Sequence, residues 1–201
     1  MTDCRATRTL YLASGNVGKL KEFRVLAESS GKNWKLESSA DYAKLPEFEE
    51  AAPTFAENAV GKALYYSHGD GGIVFADDSG LVVPALGGAP GVLSARYAGA
   101  GAGNEQRIAK LLFEMRGLEG ANRNAYFVCV IAAVWNGRAV AVVSEKVDGE
   151  ILDSPRGSDG FGYDPVFYFP PLGKTFAELR AEEKSEHSHR GKVFRRLLEV
   201  L

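Results

Sequence analysis

The chain has 201 residues, 45% apolar and 25% charged, with 24 Lys plus Arg against 26 Asp plus Glu and a formal net charge of −2. That is enough for one large globular domain or a domain with two lobes. It lacks the basic excess that a dedicated nucleic-acid or membrane-surface binder needs. No apolar run is long enough to span a bilayer, and the N-terminal MTDCRATRT has no signal-peptide core. The two cysteines, Cys4 in a polar tail and Cys129 in an apolar run, read as a tail thiol and a core filler, so a reducing cytoplasm is the expected compartment.

Residues 1–8 read as a tail and 9–201 as a single two-lobed domain. Residues 9–13 are apolar and predict a short buried strand, broken by Ser14-Gly15-Asn16. Residues 19–28 place Leu20, Phe23, Leu26 and Ala27 on one helical face. This strand, turn and helix make an anion site, because N–H groups at a helix start point outward and Lys19 adds a charge. It is not the common P-loop, whose first glycine and post-lysine hydroxyl are replaced by Ala13 and Leu20. A plain strand-to-helix turn explains it as well.

The loop LPEFEE, 45–50, offers Glu47, Glu49 and Glu50, each a candidate metal ligand or merely a solvated acid. Thr54 and Glu57 form a capping box that starts a helix running to about residue 67. The apolar run 73–76 then meets Asp77 and Asp78, expected at the end of a strand. Neighbours in a strand point to opposite faces, so the two acids share one site only if the strand stops there. One can hold the turn while the other binds a hard cation such as Mg²⁺ or accepts a proton from water. An Asx-type turn before Ser79-Gly80 is the plain alternative.

A helix over 104–115 carries Ile108, Leu111, Leu112 and Met115. Residues 125–135 and 138–146 read as a hairpin across Asn136-Gly137, and Asp148-Gly149 suggests a further turn. In SPRGSDGFGYDP, 154–165, Phe161 and Tyr163 can stack on a flat ligand or simply pack their own loop. Thr175 and Glu178 form a second capping box. KSEHSHRGK, 184–192, gathers Lys184, His189, Arg190 and Lys192, but His187 and His189 lack the company that zinc requires. His68 stands alone. A final helix turns Val193, Leu197, Leu198 and Leu201 inward. Alternating strands and helices followed by a β-meander make a mixed α/β, or α+β, sheet protein.

Taken in order, LASGNVGK, TFAENAVGKA, ADDSGLVVPALGGAPGVLSARYAG, GFGYDPVF and FAELRAEEKSEHSHRGK resemble the inosine triphosphate pyrophosphatase family of house-cleaning enzymes, from about Thr9 to the C-terminus. The resemblance implies an elongated twisted mixed sheet flanked by helices, with two lobes around a central nucleotide cleft, and usually a homodimer. It implies Mg²⁺-dependent cleavage of inosine, deoxyinosine and xanthosine triphosphates to the monophosphate and pyrophosphate, with a small-molecule substrate and no nucleic-acid or membrane partner.

Matched residue by residue, Ser14, Gly15, Asn16, Val17, Gly18 and Lys19 correspond to the triphosphate turn, with Ser14 in place of the commoner Thr. Asp78 corresponds to the metal ligand and proton acceptor, and Asp77 and Lys62 to charged positions of the same site. Glu50 and Glu47 are the choices for the second metal ligand. Ser79, Phe161, Gly162, Tyr163, Asp164, Lys184, His189 and Arg190 correspond to substrate contacts. Arg190 is a candidate donor to the purine 6-oxygen, which adenine lacks. A related pyrimidine house-cleaning family carries Ser-Pro-Arg-Arg at the first turn, unlike this chain. A non-catalytic nucleotide sensor would need no acids.

Overall fold

The computed structural model describes residues 8–31, 34–67 and 71–201. Cys4, the rest of the tail up to residue 7, and His68 lie outside the described residues. Seven strands form one mixed sheet in the order β2-β1-β3-β4-β5-β6-β7. In chain order the elements are β1 (Arg8–Leu12), α1 (Val17–Ser29), β2 (Trp34–Ser38), α2 (Phe55–Tyr65), β3 (Ile73–Val82), α3 (Asn104–Glu114), β4 (Asn124–Trp135), β5 (Arg138–Ile151), β6 (Phe167–Phe169), β7 (Lys174–Thr175), α4 (Ala181–His187) and α5 (His189–Val200), with short 3-10 turns between several of them. The chain is thus the mixed α/β sheet protein that its pattern predicts.

The chain divides into two compact units. The first gathers residues up to Asp78 with Val130–Ser144 and Arg190–Leu201, and the second gathers Ser79–Cys129 and Glu145–His189. In the first unit β1 pairs in parallel with both β2 and β3. One face of this sheet is covered by α2, whose Ala59, Ala63 and Tyr66 pack on Val74, Ala76, Val130, Ala132 and Val134. On the other face Phe75 meets Phe23 of α1 at 5.3 Å, edge-on, and Phe194 of α5 at 5.8 Å. Side chains of β3 therefore alternate, residues 74 and 76 toward α2 and residue 75 toward α1 and α5, as the pleat requires.

The core of the second unit includes Leu81, Leu111, Met115, Phe127, Phe167 and Phe176, all buried. Here β6 pairs antiparallel with both β5 and β7. Ser94, in the SARY stretch, accepts the Leu81 N–H at 2.9 Å, and its carbonyl accepts the Tyr163 hydroxyl at 3.0 Å. The Gly/Pro-rich segment after β3 thereby ties that strand to the 161–164 loop. Cys129 is buried and is not part of a disulfide.

The hairpin turn at Asn136-Gly137 forms as expected, with φ of 49° and 70° at the two residues, the left-handed pair of a type I′ turn. Thr54 caps α2, accepting the Glu57 N–H at 3.2 Å. The Thr175–Glu178 box forms on a single 3-10 turn rather than on a helix.

Two expectations fail. Asp148-Gly149 is not a turn, because β5 runs straight through it to Ile151. A Cβ at position 149 would stand 2.5 Å from the Tyr168 carbonyl oxygen and 2.6 Å from the Phe167 ring. The glycine is there so that β6 can approach, which is the other common reason for glycine in a strand. Nor does β3 stop at the two acids: it continues four residues past Asp78, to Val82.

Candidate functional site

Because β3 continues, its alternation sends Asp77 and Asp78 to opposite faces of the sheet. Asp77 lies on the α1 and α5 face. It is fully buried, with the Lys19 ammonium 2.9 Å from Oδ2 and the Arg190 Nε 3.8 Å from the same oxygen. Asp78 lies on the α2 face, where its Oδ2 accepts a hydrogen bond from Asn58 Nδ2 at 3.0 Å. The expectation that the pair shares one end-of-strand position is corrected by this register.

The two environments drive the carboxyls apart in protonation. Burial opposes ionisation of Asp77, but Lys19, Arg190 and Lys62 together outweigh it and lower its pKa to about 2. Burial also opposes ionisation of Asp78, the negative charge of Glu50 adds to that, and Lys19, Asn58 and Lys62 only partly offset them, so its pKa rises to about 6. Asp77 is a fixed counter-charge, while Asp78 is a carboxylate whose proton affinity lies near working pH, where general bases operate.

The turn between β1 and α1 forms where the sequence suggests. Asn16 caps α1, its Oδ1 accepting the Lys19 N–H at 3.1 Å, while Ser14 Oγ accepts the Asn16 N–H at 3.3 Å. A Cβ at Gly15 would overlap the Tyr42 hydroxyl, so any larger residue there must displace that ring. Gly15, Asn16 and Val17 are exposed, and Gly18 and Lys19 are half-buried. The turn offers uncapped N–H groups and a lysine to an anion.

The acidic loop is held from α2. Tyr66 donates its hydroxyl to the Pro46 carbonyl at 3.0 Å and accepts the Phe48 N–H at 2.9 Å. Lys62 forms an ion pair with Glu50. Burial works against the Lys62 charge, but Asp77 and Glu50 prevail and its pKa is raised. Glu50 is the loop acid that acts on Asp78, whereas Glu47 and Glu49 are exposed. Among the described residues no group of three or more His, Cys, Asp or Glu gathers to hold a metal. The donor set suits a hard cation that takes one or two carboxylates and completes its shell with water and phosphate. The repulsion between Glu50 and Asp78 is what such a cation would relieve.

In the second unit, Asp164 organises the GFGYDP loop. Its Oδ2 accepts the Phe161 N–H at 2.7 Å and the Lys184 ammonium at 2.6 Å. That ammonium lies 5.0 Å from the centre of the Phe161 ring, within cation–π range. Tyr163 does not offer its ring for stacking: it is part of the core, and burial raises its phenol pKa. His189 is buried and stacked on Phe127, 4.6 Å between centroids and 13° between planes. Ser79 and Gly162 are half-buried.

The structure thus brings Ser14–Lys19, Glu50, Lys62, Asp77, Asp78 and Arg190 into the first unit. Ser79, Phe161–Asp164, Lys184 and His189 fall in the second. Arg190, expected to read a base, has its guanidinium on Glu22 and beside Asp77. Sequence reasoning missed Glu22, Asn58, Tyr66 and Phe127. For Asn58 a signal existed: asparagine is a poor helix former, and it stands four residues before Lys62, on the same face of α2.

Fold and site together define an α/β protein in which a lysine-bearing helix start, an acidic loop and two differently placed aspartates gather in one unit. Residues 10–200 match the model of the Ham1 family, and the chain belongs to that family. It is 48% identical to a dITP/XTP pyrophosphatase of Geobacillus kaustophilus over 94% of this chain and 92% of that one. With a dITP/XTP pyrophosphatase of Thermus thermophilus it shares 48% identity over 95% of this chain and 90% of that one. Its fold superposes on a HAM1 protein from Coxiella burnetii with a TM-score of 0.84 at 40% identity, covering 96% and 98% of the two chains.

Proposed function

We infer that this protein is a nucleoside triphosphate pyrophosphatase that hydrolyses non-canonical purine nucleotides, dITP, ITP and XTP, to the monophosphate and pyrophosphate. The near-full-length match to dITP/XTP pyrophosphatases carries the reading, and the separate environments of Asp77 and Asp78 support its chemistry. Asp78 and Glu50 would hold the metal, which we take to be Mg²⁺. Bound there, it would neutralise phosphate charge and make a coordinated water more acidic. The Ser14–Lys19 turn and Lys62 bind and orient the phosphates through N–H groups and ammonium charge. Asp78 accepts the proton of the attacking water, since Asp77 at about 2 is too weak a base. Asp77 holds Lys19 in place. A homodimer working in the cytoplasm completes the proposal, and light scattering tests the dimer by giving twice the chain mass.

The experiment is pyrophosphate release from dITP, ITP, XTP, dATP and dGTP with Mg²⁺. Turnover of the first three, exceeding that of dATP by on the order of 10⁴, is expected of a site that hydrogen-bonds the 6-oxygen. Binding of dITP without turnover points to a sensor and overturns the reading. Arg190→Ala tests the base-reading role: an unchanged dITP-to-dATP ratio assigns the guanidinium to Glu22 and Asp77 alone.

A further inference from the structure

We propose that Asn58 is a positioning residue of the metal site, whose carboxamide ties the loop carrying Glu50 to the carboxylate of Asp78. The proposal rests on the reading that Asp78 and Glu50 hold the divalent cation.

The geometry is specific. Asn58 is 1% exposed. Its Oδ1 accepts the Ala52 N–H at 3.0 Å, and its Nδ2 donates to the Ala52 carbonyl at 3.3 Å and to Asp78 Oδ2 at 3.0 Å. Both amide protons and the carbonyl oxygen are thereby engaged. Ala52 lies two residues after Glu50, so one side chain grips the backbone beside one acid and the carboxylate of the other. No aliphatic residue of similar volume can do this. An aspartate would lack the donors and place a third negative charge there.

Position explains why the grip is firm. Asn58, Lys62 and Tyr66 recur at four-residue intervals, one stripe along α2 and its C-terminal cap. Tyr66 anchors the start of the loop, Lys62 pairs with Glu50, and Asn58 anchors the end. Of the three, Asn58 is the one with a hydrogen bond to Asp78. Outer partners that orient metal ligands typically govern affinity by 10–100-fold.

The test compares wild type, Asn58→Ala, Tyr66→Phe and Asp78→Asn by Mn²⁺ binding, followed by electron paramagnetic resonance with the metal alone. Mg²⁺ dependence of turnover is measured in parallel. Circular dichroism checks each fold; if Asn58→Ala does not fold, Asn58→Ser, with its shorter side chain, replaces it. Expected are loss of Mn²⁺ binding in Asp78→Asn and weakening by about 10-fold or more in Asn58→Ala. The Mg²⁺ needed for half-maximal turnover rises by the same factor, while KM for dITP at saturating Mg²⁺ stays within about threefold. Tyr66→Phe, which frees the loop without touching Asp78, weakens Mn²⁺ binding less. Wild-type Mn²⁺ affinity in Asn58→Ala overturns the proposal, as does an equal loss in Tyr66→Phe, which would make Asn58 a loop anchor only. Retained Mn²⁺ binding in Asp78→Asn overturns the metal assignment itself and the proposal with it.

Discussion

At the scale of single residues, two adjacent aspartates with the same side chain hold opposite roles because one strand register faces them to different partners. Asp77 has a folded pKa of about 2 against an ordinary 3.8. Its ionisation therefore stabilises the fold above pH 3.8, and that contribution is lost as pH falls toward 2. Asp77→Asn leaves Lys19 and Arg190 beside a neutral group in a buried place, and should cost about 2–3 kcal/mol at pH 7, read from urea unfolding. The gap to wild type should close near pH 2. Asp78 has the reverse sign. Its pKa is raised from 3.8 to about 6, so ionising it costs stability as pH climbs between those values. Metal-free Asp78→Asn should be inactive yet more stable than wild type at pH 8, by up to about 3 kcal/mol, with no advantage below about pH 4. A variant less stable than wild type at pH 8 would contradict the burial and Glu50 repulsion assigned to Asp78.

At the scale of elements, helix ends and close approaches do the positioning. The Asn16 cap and the open first turn of α1 make the phosphate turn, and the stripe on α2 carries the acidic loop. The 161–164 loop is closed on Asp164. In β5, Gly149 admits β6, so Gly149→Ala should strain the β5–β6 pairing. The expected cost is roughly 1–3 kcal/mol, seen as a lower urea midpoint with an unchanged slope. A neutral outcome would mean that β6 can yield.

At the scale of the whole molecule, a chain of net charge −2 handles a polyanion. On the proposed reading the attraction is local, carried by Lys19, Lys62 and the helix start, because a net charge of −2 supplies no long-range basic field. Raising salt from about 50 to 200 mM should raise KM for dITP only about threefold or less, because buried and partly buried pairs are screened weakly. A KM rise of several orders of magnitude, like the affinity loss of phosphate-tracking binders, would place the attraction on exposed charge. No helix among the described residues is long and apolar enough to cross a membrane.

Strands and helices with strong periodicity are legible in the sequence: β1, α1, α2, α3, the β4–β5 hairpin and α5 form where their patterns predict. So does the strand-to-helix turn at residues 14–19, because capping and turn chemistry act within a few residues. The strands β6 and β7, of three and two residues, carry too few for a period to show, and β2, WKLES, is too polar to stand out as a buried run. Gly149 looks like a turn glycine until the neighbouring strand that it admits is known. Read alone, the residues establish which chemistry is on hand: two acids, a lysine turn, an acidic loop and a basic segment. Which acid is a fixed counter-charge and which one titrates emerges only on folding. That division depends on burial and on cations brought from 58 residues before Asp77, at Lys19, and 113 after it, at Arg190, and electrostatic partners follow distance in space, not along the chain.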